Sequence, residues 1–190
     1  MSRSGYEAMS SIATPAAIVS FWREAGPDRW YKKDAALDAE ISARFRPAFD
    51  AAANGGLAAW EAGSEGALAL VLLLDQFPRN MFRGSARAFA TDAQALGAAR
   101  RAIALGHDAA YAPPLKRFFY LPFMHSEALA DQERCIALCA AAADPEGVKY
   151  GVLHRDIIAR FGRFPHRNRL LGRAMLAEEQ AFLDAGGFAG

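Results

Sequence analysis

Two short segments place charged and amide side chains directly after apolar helical stretches. The first is Asp75-Gln76-Phe77-Pro78-Arg79-Asn80, and the second is Arg163-Phe164-Pro165-His166-Arg167-Asn168. Both contain Phe-Pro followed by Arg-Asn, with one additional residue in the second copy. Charged groups at the edge of a hydrophobic core need partners. We therefore expect the two segments to meet, with Asp75 as the acid of the first and His166 within the basic second.

Three of the four histidines lie beside acids or arginines near predicted helix boundaries. Histidine suits proton transfer because its unperturbed pKa is about 6.5, and the planar guanidinium of arginine suits carboxylate and phosphate groups. We therefore expect a polar pocket in which arginines bind an anion and acids orient the arginines. Its predicted members are Asp75, Arg79, Asn80, His125, Glu127, His154, Arg163, His166 and Arg167. The aromatic residues Phe119, Tyr120 and Phe123 are expected to form an apolar wall.

Four interpretations of this cluster stay open from the sequence alone. The cluster could be a structural network of Asp75, Arg79, Arg163, His166 and Arg167 that ties two helix ends together. The preferred interpretation is a binding module, whose pocket accepts an anionic small molecule or peptide group. The alternative is a hydrolase, either metal-assisted or with a histidine as general base, although no histidine spacing is a recognised metal motif. RNA binding is not favoured, since a long Lys/Arg run is missing. No catalytic residue, metal or cofactor is assigned.

The C-terminal region is basic, although the whole chain has a formal net charge of only +1. Residues 149–173 contain seven Lys or Arg residues and a single acid, Asp156. Phe and Leu interleave the arginines, as a packed helix would require. We therefore expect this basic segment to dock on acids of the same fold, and the candidate partners are Asp75, Glu127, Asp131 and Glu133.

Composition favours one globular domain over residues 1–190, with flexible ends at 1–13 and 186–190. The chain is 53% hydrophobic and 23% charged, and its longest apolar run is far shorter than the ~20 residues of a membrane span. A secretory signal is not visible, so a cytoplasmic location is the default expectation. A membrane partner is not expected, and a homodimer is compatible with the sequence. Cys135 and Cys139 are four residues apart in a helical pattern, which predicts two reduced core residues.

Helical periodicity dominates the chain, and no segment alternates apolar and polar residues for long enough to build a sheet. The sequence predicts an all-α fold of about seven to eight helices in antiparallel pairs. The most apolar helix is predicted over 67–77, opened by Ser64 and stopped by Pro78. Thr91-Asp92-Ala93-Gln94 matches a capping box, which predicts the start of another helix. The last helix is expected over about 170–183.

Prolines complicate two other segments. Pro47 lies inside an amphipathic pattern and predicts a kink or a break there. The aromatic segment 118–123 could be mistaken for a strand, but nearby prolines and the lack of a pairing strand favour a short buried helix or turn.

Several long motifs resemble those of the bacterial family called domain of unknown function 924. The resemblance extends from about residue 20 to residue 183 and implies a tetratricopeptide-repeat-like, right-handed helical array. It implies no established activity. One departure is Met124, where the family often has Glu, so this edge of the pocket lacks a carboxylate. The motifs that carry the resemblance are residues 72–84, 88–93, 123–127 with Asp131-Gln132, and 154–168.

Overall fold

The computed structural model describes residues 12–190, and every regular element in this range is helical. The expected flexible end at 1–13 falls almost entirely outside this range, and that at 186–190 remains a prediction. The α-helices are α1 (Pro15–Ala25), α2 (Pro27–Trp30), α3 (Ala35–Ala53), α4 (Ser64–Val71), α5 (Phe77–Met81), α6 (Asp92–Ala104), α7 (Leu121–Met124), α8 (Leu129–Ala141), α9 (Pro145–Phe161) and α10 (Ala177–Asp184). Short 3₁₀ helices cover Ala58–Ala62, Ala86–Phe89, His107–Ala110, Leu115–Phe119 and Pro165–Arg167.

A π-helical turn, Leu72–Gln76, joins α4 and α5 into one continuous helix over residues 64–81. With this helix counted once, the described residues contain nine α-helices, close to the predicted seven to eight. The all-α prediction is confirmed. The right-handed, tetratricopeptide-like arrangement remains a prediction. None of these helices combines the length and the apolar character that crossing a membrane would require.

The helix over 64–81 continues through Pro78, so the prediction that it stops there was wrong. Proline lacks an N–H and normally clashes with the carbonyl four residues earlier. Here the π turn absorbs the conflict, because the amide of Phe77 donates to the carbonyl of Leu72, five residues back. The amide of Phe82 then donates to the carbonyl of Pro78 at 2.9 Å, so α-helical bonding resumes after the proline.

The carbonyl of Leu74, which Pro78 cannot satisfy, is satisfied from another helix. The hydroxyl of Thr91 donates to this oxygen at 2.6 Å in a buried setting. The predicted capping box therefore does not form. Thr91 precedes α6, but its side chain makes no capping hydrogen bond, and the Gln94 amide donates instead to the carbonyl of Ala53.

The other predicted segments divide into confirmed and corrected ones. The aromatic segment forms a 3₁₀ turn followed by α7 and is buried, as expected. Cys135 and Cys139 are free and buried. Helix α3 contains Pro47 but runs without a break. The final helix begins only at Ala177, because residues 165–172 form a 3₁₀ helix and turns in which Gly172 adopts φ 65°.

Helices α8 and α9 form the most extensively packed pair, and three residues connect them. A short connection between helices that pack along their length makes them run antiparallel. Gly151 on α9 lets the two helices approach closely, because an added Cβ would lie 3.0 Å from the Ile136 side chain. His154 lies on α9, and its ring packs against Phe164 in the segment that follows this helix.

Replacement of Thr91 by Val should destabilise the protein through the π turn. The valine methyl group cannot donate to the Leu74 carbonyl, which would stay buried without a partner. We expect the free energy of unfolding to fall by about 1–3 kcal/mol, measured by urea denaturation. Thr91→Ser keeps the hydroxyl and is the matched control. A Thr91→Val protein as stable as the wild type would show that the π turn does not need this donor.

Candidate functional site

A cavity of about 560 Å³ lies between the π-containing helix, the C-terminal end of α7, helix α9 and the last residues of the described chain. This volume is in the range of small-molecule pockets in proteins. Its polar lining comes mainly from Arg79, Asn80, His125, His154, His166 and Arg167. Its aromatic lining comes from Trp30, Tyr31, Phe89, Tyr150 and Phe188.

Asp75 lies behind the cavity wall, in the π turn, and is fully buried. Its carboxylate accepts a hydrogen bond from Nδ1 of His125 at 2.8 Å and another from the side-chain amide of Gln76. The guanidinium of Arg79 lies 3.4 Å from the same carboxylate. Burial alone would raise the pKa of Asp75, but the charge of Arg79 and the His125 contact outweigh it and hold that pKa well below its usual range.

Asp92 extends this network to the second segment. It binds Arg79 through both carboxylate oxygens, at 3.0 and 3.1 Å. One of these oxygens also accepts from Nη1 of Arg167 at 3.3 Å. The same Nη1 donates to the backbone carbonyl of His125 at 3.1 Å. One carboxylate at the start of α6 thus bridges two arginines that are 88 positions apart in the chain.

Arg167 is held in place by aromatic rings as well as by hydrogen bonds. Its guanidinium lies 4.7 Å from the centre of the Phe89 ring and 4.5 Å from that of Phe164. The side chain is only 8% exposed. Burial and the charge of Arg79 lower the pKa of Arg167 to about 10. The cation therefore lies in a site whose neighbouring acids do not fully compensate it.

Part of the Arg167 guanidinium has no partner. Its Nε is buried and makes no hydrogen bond within residues 12–190. Its Nη2 also makes no hydrogen bond in that range, but this atom is not fully buried. Because Arg167 lines the cavity and Nη2 is not fully buried, the N–H groups of Nη2 are available to an acceptor there.

The three cavity histidines are held in a neutral state. Burial and the charge of Arg79 lower the pKa of His125, and burial also lowers that of His154. Burial and the charge of Arg167 lower the pKa of His166 to about 4. The Phe188 ring lies 4.6 Å from the His154 ring and 5.4 Å from the His166 ring, so these residues form one wall.

The family model described as bacterial protein of unknown function (DUF924) matches residues 18–187. The chain belongs to this family. A solved structure of a protein of unknown function from Agrobacterium tumefaciens is 49% identical and has a TM-score of 0.88. The match covers 90% of this chain and 97% of that one. A comparison with curated proteins found no match. The resemblance inferred from the sequence motifs is confirmed, and the relatives have no stated activity.

Within this family member, six of the nine predicted site residues line the cavity, and Asp75 supports two of them from behind. Glu127 and Arg163 lie outside the cavity lining, and their part in ligand binding stays a prediction. Glu127 binds Arg173 and accepts from the backbone amide of Phe164 at 2.8 Å. Arg163 binds the buried Glu179 of α10. The side chains that pair with them, Arg173 and Glu179, do not line the cavity either.

The three residues predicted to form an aromatic wall also lie elsewhere. Phe119, Tyr120 and Phe123 are buried in the hydrophobic core and do not line the cavity, because the turn before α7 directs them inward. Sequence reasoning instead missed Asp92, which it had interpreted only as part of a capping box. The signal was its place in the first turn of a helix, where a carboxylate is favoured, within a motif of the family.

The basic segment 149–173 does dock on acids of the same chain, as predicted. Its arginines pair with acids at four places, and two of the predicted partners, Glu127 and Glu133, are among them. Asp131 pairs instead with Arg100, and Asp75 with Arg79. The four pairs are Arg155–Glu133, Arg163–Glu179, Arg167–Asp92 and Arg173–Glu127.

Replacement of Arg79 by Met tests how much the fold depends on the network. Asp75 would lose its nearest cation while staying buried, and an unpaired buried charge costs about 3–5 kcal/mol. We expect a decrease of that size in the free energy of unfolding, measured by urea denaturation at neutral pH. Arg134 is exposed, so Arg134→Met is the matched control and should change stability by less than about 0.5 kcal/mol. Equal stabilities for the two variants would contradict a structural role for the network.

Proposed function

We propose that this protein is a binding module whose cavity accepts a small molecule or peptide group carrying a carboxylate or phosphate. The observation that supports it best is Arg167. This residue is buried, is fixed between two aromatic rings and keeps N–H groups without a partner at the cavity. Buried donors are normally satisfied, and exceptions call for an explanation. A ligand anion would supply the missing acceptor.

Electrostatics support an anion in preference to a neutral acceptor. Burial and the positive charge of Arg79 make the Arg167 cation unfavourable, so its pKa falls. An anion beside Arg167 would offset that cost. Guanidinium groups bind carboxylate and phosphate through charge-assisted hydrogen bonds, and the unpartnered Nη2 of Arg167, which is not fully buried, offers two N–H donors for them.

The network does not compete with this role. Arg79 uses both of its terminal nitrogens on Asp92, so it positions Asp92 and contributes charge. Arg167 shares only Nη1 with Asp92 and the His125 carbonyl. In Arg167, Nη1 therefore belongs to the structural network, whereas Nη2 is left for a ligand.

Replacement of Arg167 by Met should remove anion binding. We expect phosphate, sulfate and a set of carboxylates to raise the melting temperature of the wild-type protein. Saturation at 100 times Kd corresponds to about 2.7 kcal/mol of added stability. The Arg167→Met protein should show no such shift. Arg167→Lys keeps the charge but not the paired N–H groups, so it should fold and respond more weakly.

Arg169 is exposed and lies two positions away, so Arg169→Met serves as the control and should respond like the wild type. An unchanged anion response in Arg167→Met would overturn the assignment of Arg167. A wild-type protein that no anion stabilises would overturn the proposal as a whole.

A hydrolase remains the second candidate, and the Asp75–His125 pair favours its histidine-based form. A buried carboxylate that orients a neutral imidazole is the usual arrangement of a general base. Among residues 12–190 the cavity lining includes no Ser, Thr or Cys, so the nucleophile would be water, and His125 would take its proton as the oxygen attacks. For the metal-assisted form, the described residues include no group of three or more His, Cys, Asp or Glu side chains that could hold a metal ion.

The hydrolase candidate is tested with 4-nitrophenyl esters and 4-nitrophenyl phosphate as substrates. The reaction is monitored through the release of 4-nitrophenolate. His125→Asn can still donate to Asp75 but lacks the second ring nitrogen. If His125 is the base, this variant should lose at least about 100-fold in kcat with little change in KM. No turnover by the wild-type protein, or equal turnover by the variant, would remove this candidate.

A further inference from the structure

The cavity also contains hydrogen-bond acceptors whose state is fixed by the fold. These acceptors are ring nitrogens of two histidines. Each can be assigned as an acceptor because the partner of the other ring nitrogen is known. A neutral imidazole carries one N–H donor and one lone-pair acceptor. The partner at one nitrogen therefore determines what the other nitrogen can do.

His125 has its Nδ1 2.8 Å from the carboxylate of Asp75. The low pKa of Asp75 keeps this carboxylate ionised, so it can only accept, and Nδ1 must carry the hydrogen. Nε2 is then a lone-pair acceptor. It makes no hydrogen bond within residues 12–190 and is not among the buried atoms without partners. The side chain lines the cavity.

His154 reaches the same state by a different contact. Its Nδ1 lies 2.8 Å from the backbone carbonyl of Tyr150, four residues earlier on α9. A carbonyl can only accept, so Nδ1 carries the hydrogen and Nε2 is again an acceptor. This Nε2 likewise has no partner in the described chain and is not among the buried unpartnered atoms. His154 also lines the cavity.

Several other polar groups of the cavity lining already have partners. The amide of Asn80 donates to Asp38 at 2.7 Å, and Arg83 binds the same carboxylate through two nitrogens. The amide of Gln76 donates to Asp75. These three side chains of the lining are thus committed to acids, and the imidazole lone pairs remain available to a ligand.

We propose that the cavity selects anions that also carry hydroxyl or amine groups, such as hydroxycarboxylates and phosphate esters of polyols. The Arg167 guanidinium binds the anionic group, and Nε2 of His125 and of His154 accept hydrogen bonds from the ligand's O–H or N–H groups. This inference rests on the proposed anion binding and adds its chemical selectivity. An anion without such donors would leave both imidazole acceptors without partners, which costs affinity.

Matched ligand pairs that differ by hydroxyl groups test this selectivity. The pairs are malate with succinate, citrate with tricarballylate, 3-phenyllactate with 3-phenylpropionate, and glycerol 3-phosphate with propyl phosphate. Dissociation constants come from calorimetry or thermal-shift titration. In each pair that binds, we expect the hydroxylated member to bind about 2- to 10-fold more tightly for each hydrogen bond formed.

His125→Asn and His154→Asn are the informative variants. An asparagine amide can take over the role of the Nδ1–H donor, so Asp75 and the Tyr150 carbonyl keep a partner, while the Nε2 acceptor is removed. Each variant should lose part of the preference for the hydroxylated member, which is read as the ratio of the two dissociation constants within a pair. His107 bonds to the Glu61 carbonyl outside the cavity, so His107→Asn is the control and should keep the full preference.

The outcomes separate the two proposals. Anion binding with equal affinity inside every pair would overturn the hydroxyl selectivity and leave anion binding intact. A preference that persists in both asparagine variants would overturn the assignment of the two histidines. Absence of binding by every anion would overturn both proposals together.

Discussion

The buried carboxylate of Asp75 is the constraint on which the rest of this structure depends. An ionised acid in a protein interior is tolerated only with close partners, and the chain supplies one nearby and one distant in sequence. Arg79 comes from the next turn of the same helix, and His125 comes from the end of α7, 50 residues later. Any conformation that keeps Asp75 buried must therefore bring α7 against the π-containing helix. This requirement fixes the inner wall of the cavity.

Asp92 carries the same requirement to the C-terminal third of the chain. It neutralises Arg79 and part of Arg167 at once, so the segment after α9 is docked by charge as well as by the Phe164 ring. The π turn contributes here too, because it allows the helix to continue past Pro78 and so places Arg79 towards Asp92. A local irregularity of the backbone thus determines where a charged network forms, which is a common use of π turns.

Periodicity in the sequence was sufficient to predict the all-α fold, the buried cysteines and the docking of the basic segment. Periodicity failed where the backbone could avoid an expected helix end. Pro78 predicts a helix end, but a π turn removes the clash, and Thr91 then bonds to Leu74 in another helix, so it does not cap its own. The site residues were predictable where no ion pair elsewhere in the fold drew the side chain away from the cavity. Glu127 and Arg163 lie outside the cavity because Arg173 and Glu179 bind them, and helical periodicity does not show which acid an arginine will pair with.

The arrangement of free donors and acceptors also limits the kind of ligand. Phe188 packs on His154 and His166, so residues near the C-terminal end of the described chain bound one side of the cavity. A volume of about 560 Å³ holds a small molecule or the end of a peptide, whereas a nucleic-acid strand needs a groove that follows its backbone. The arginines of the basic segment that would have to face such a strand are largely paired with acids of the chain itself. Within the cavity, the buried Arg167 keeps unpartnered N–H groups, which favours one anionic group in a defined orientation over an extended polyanion.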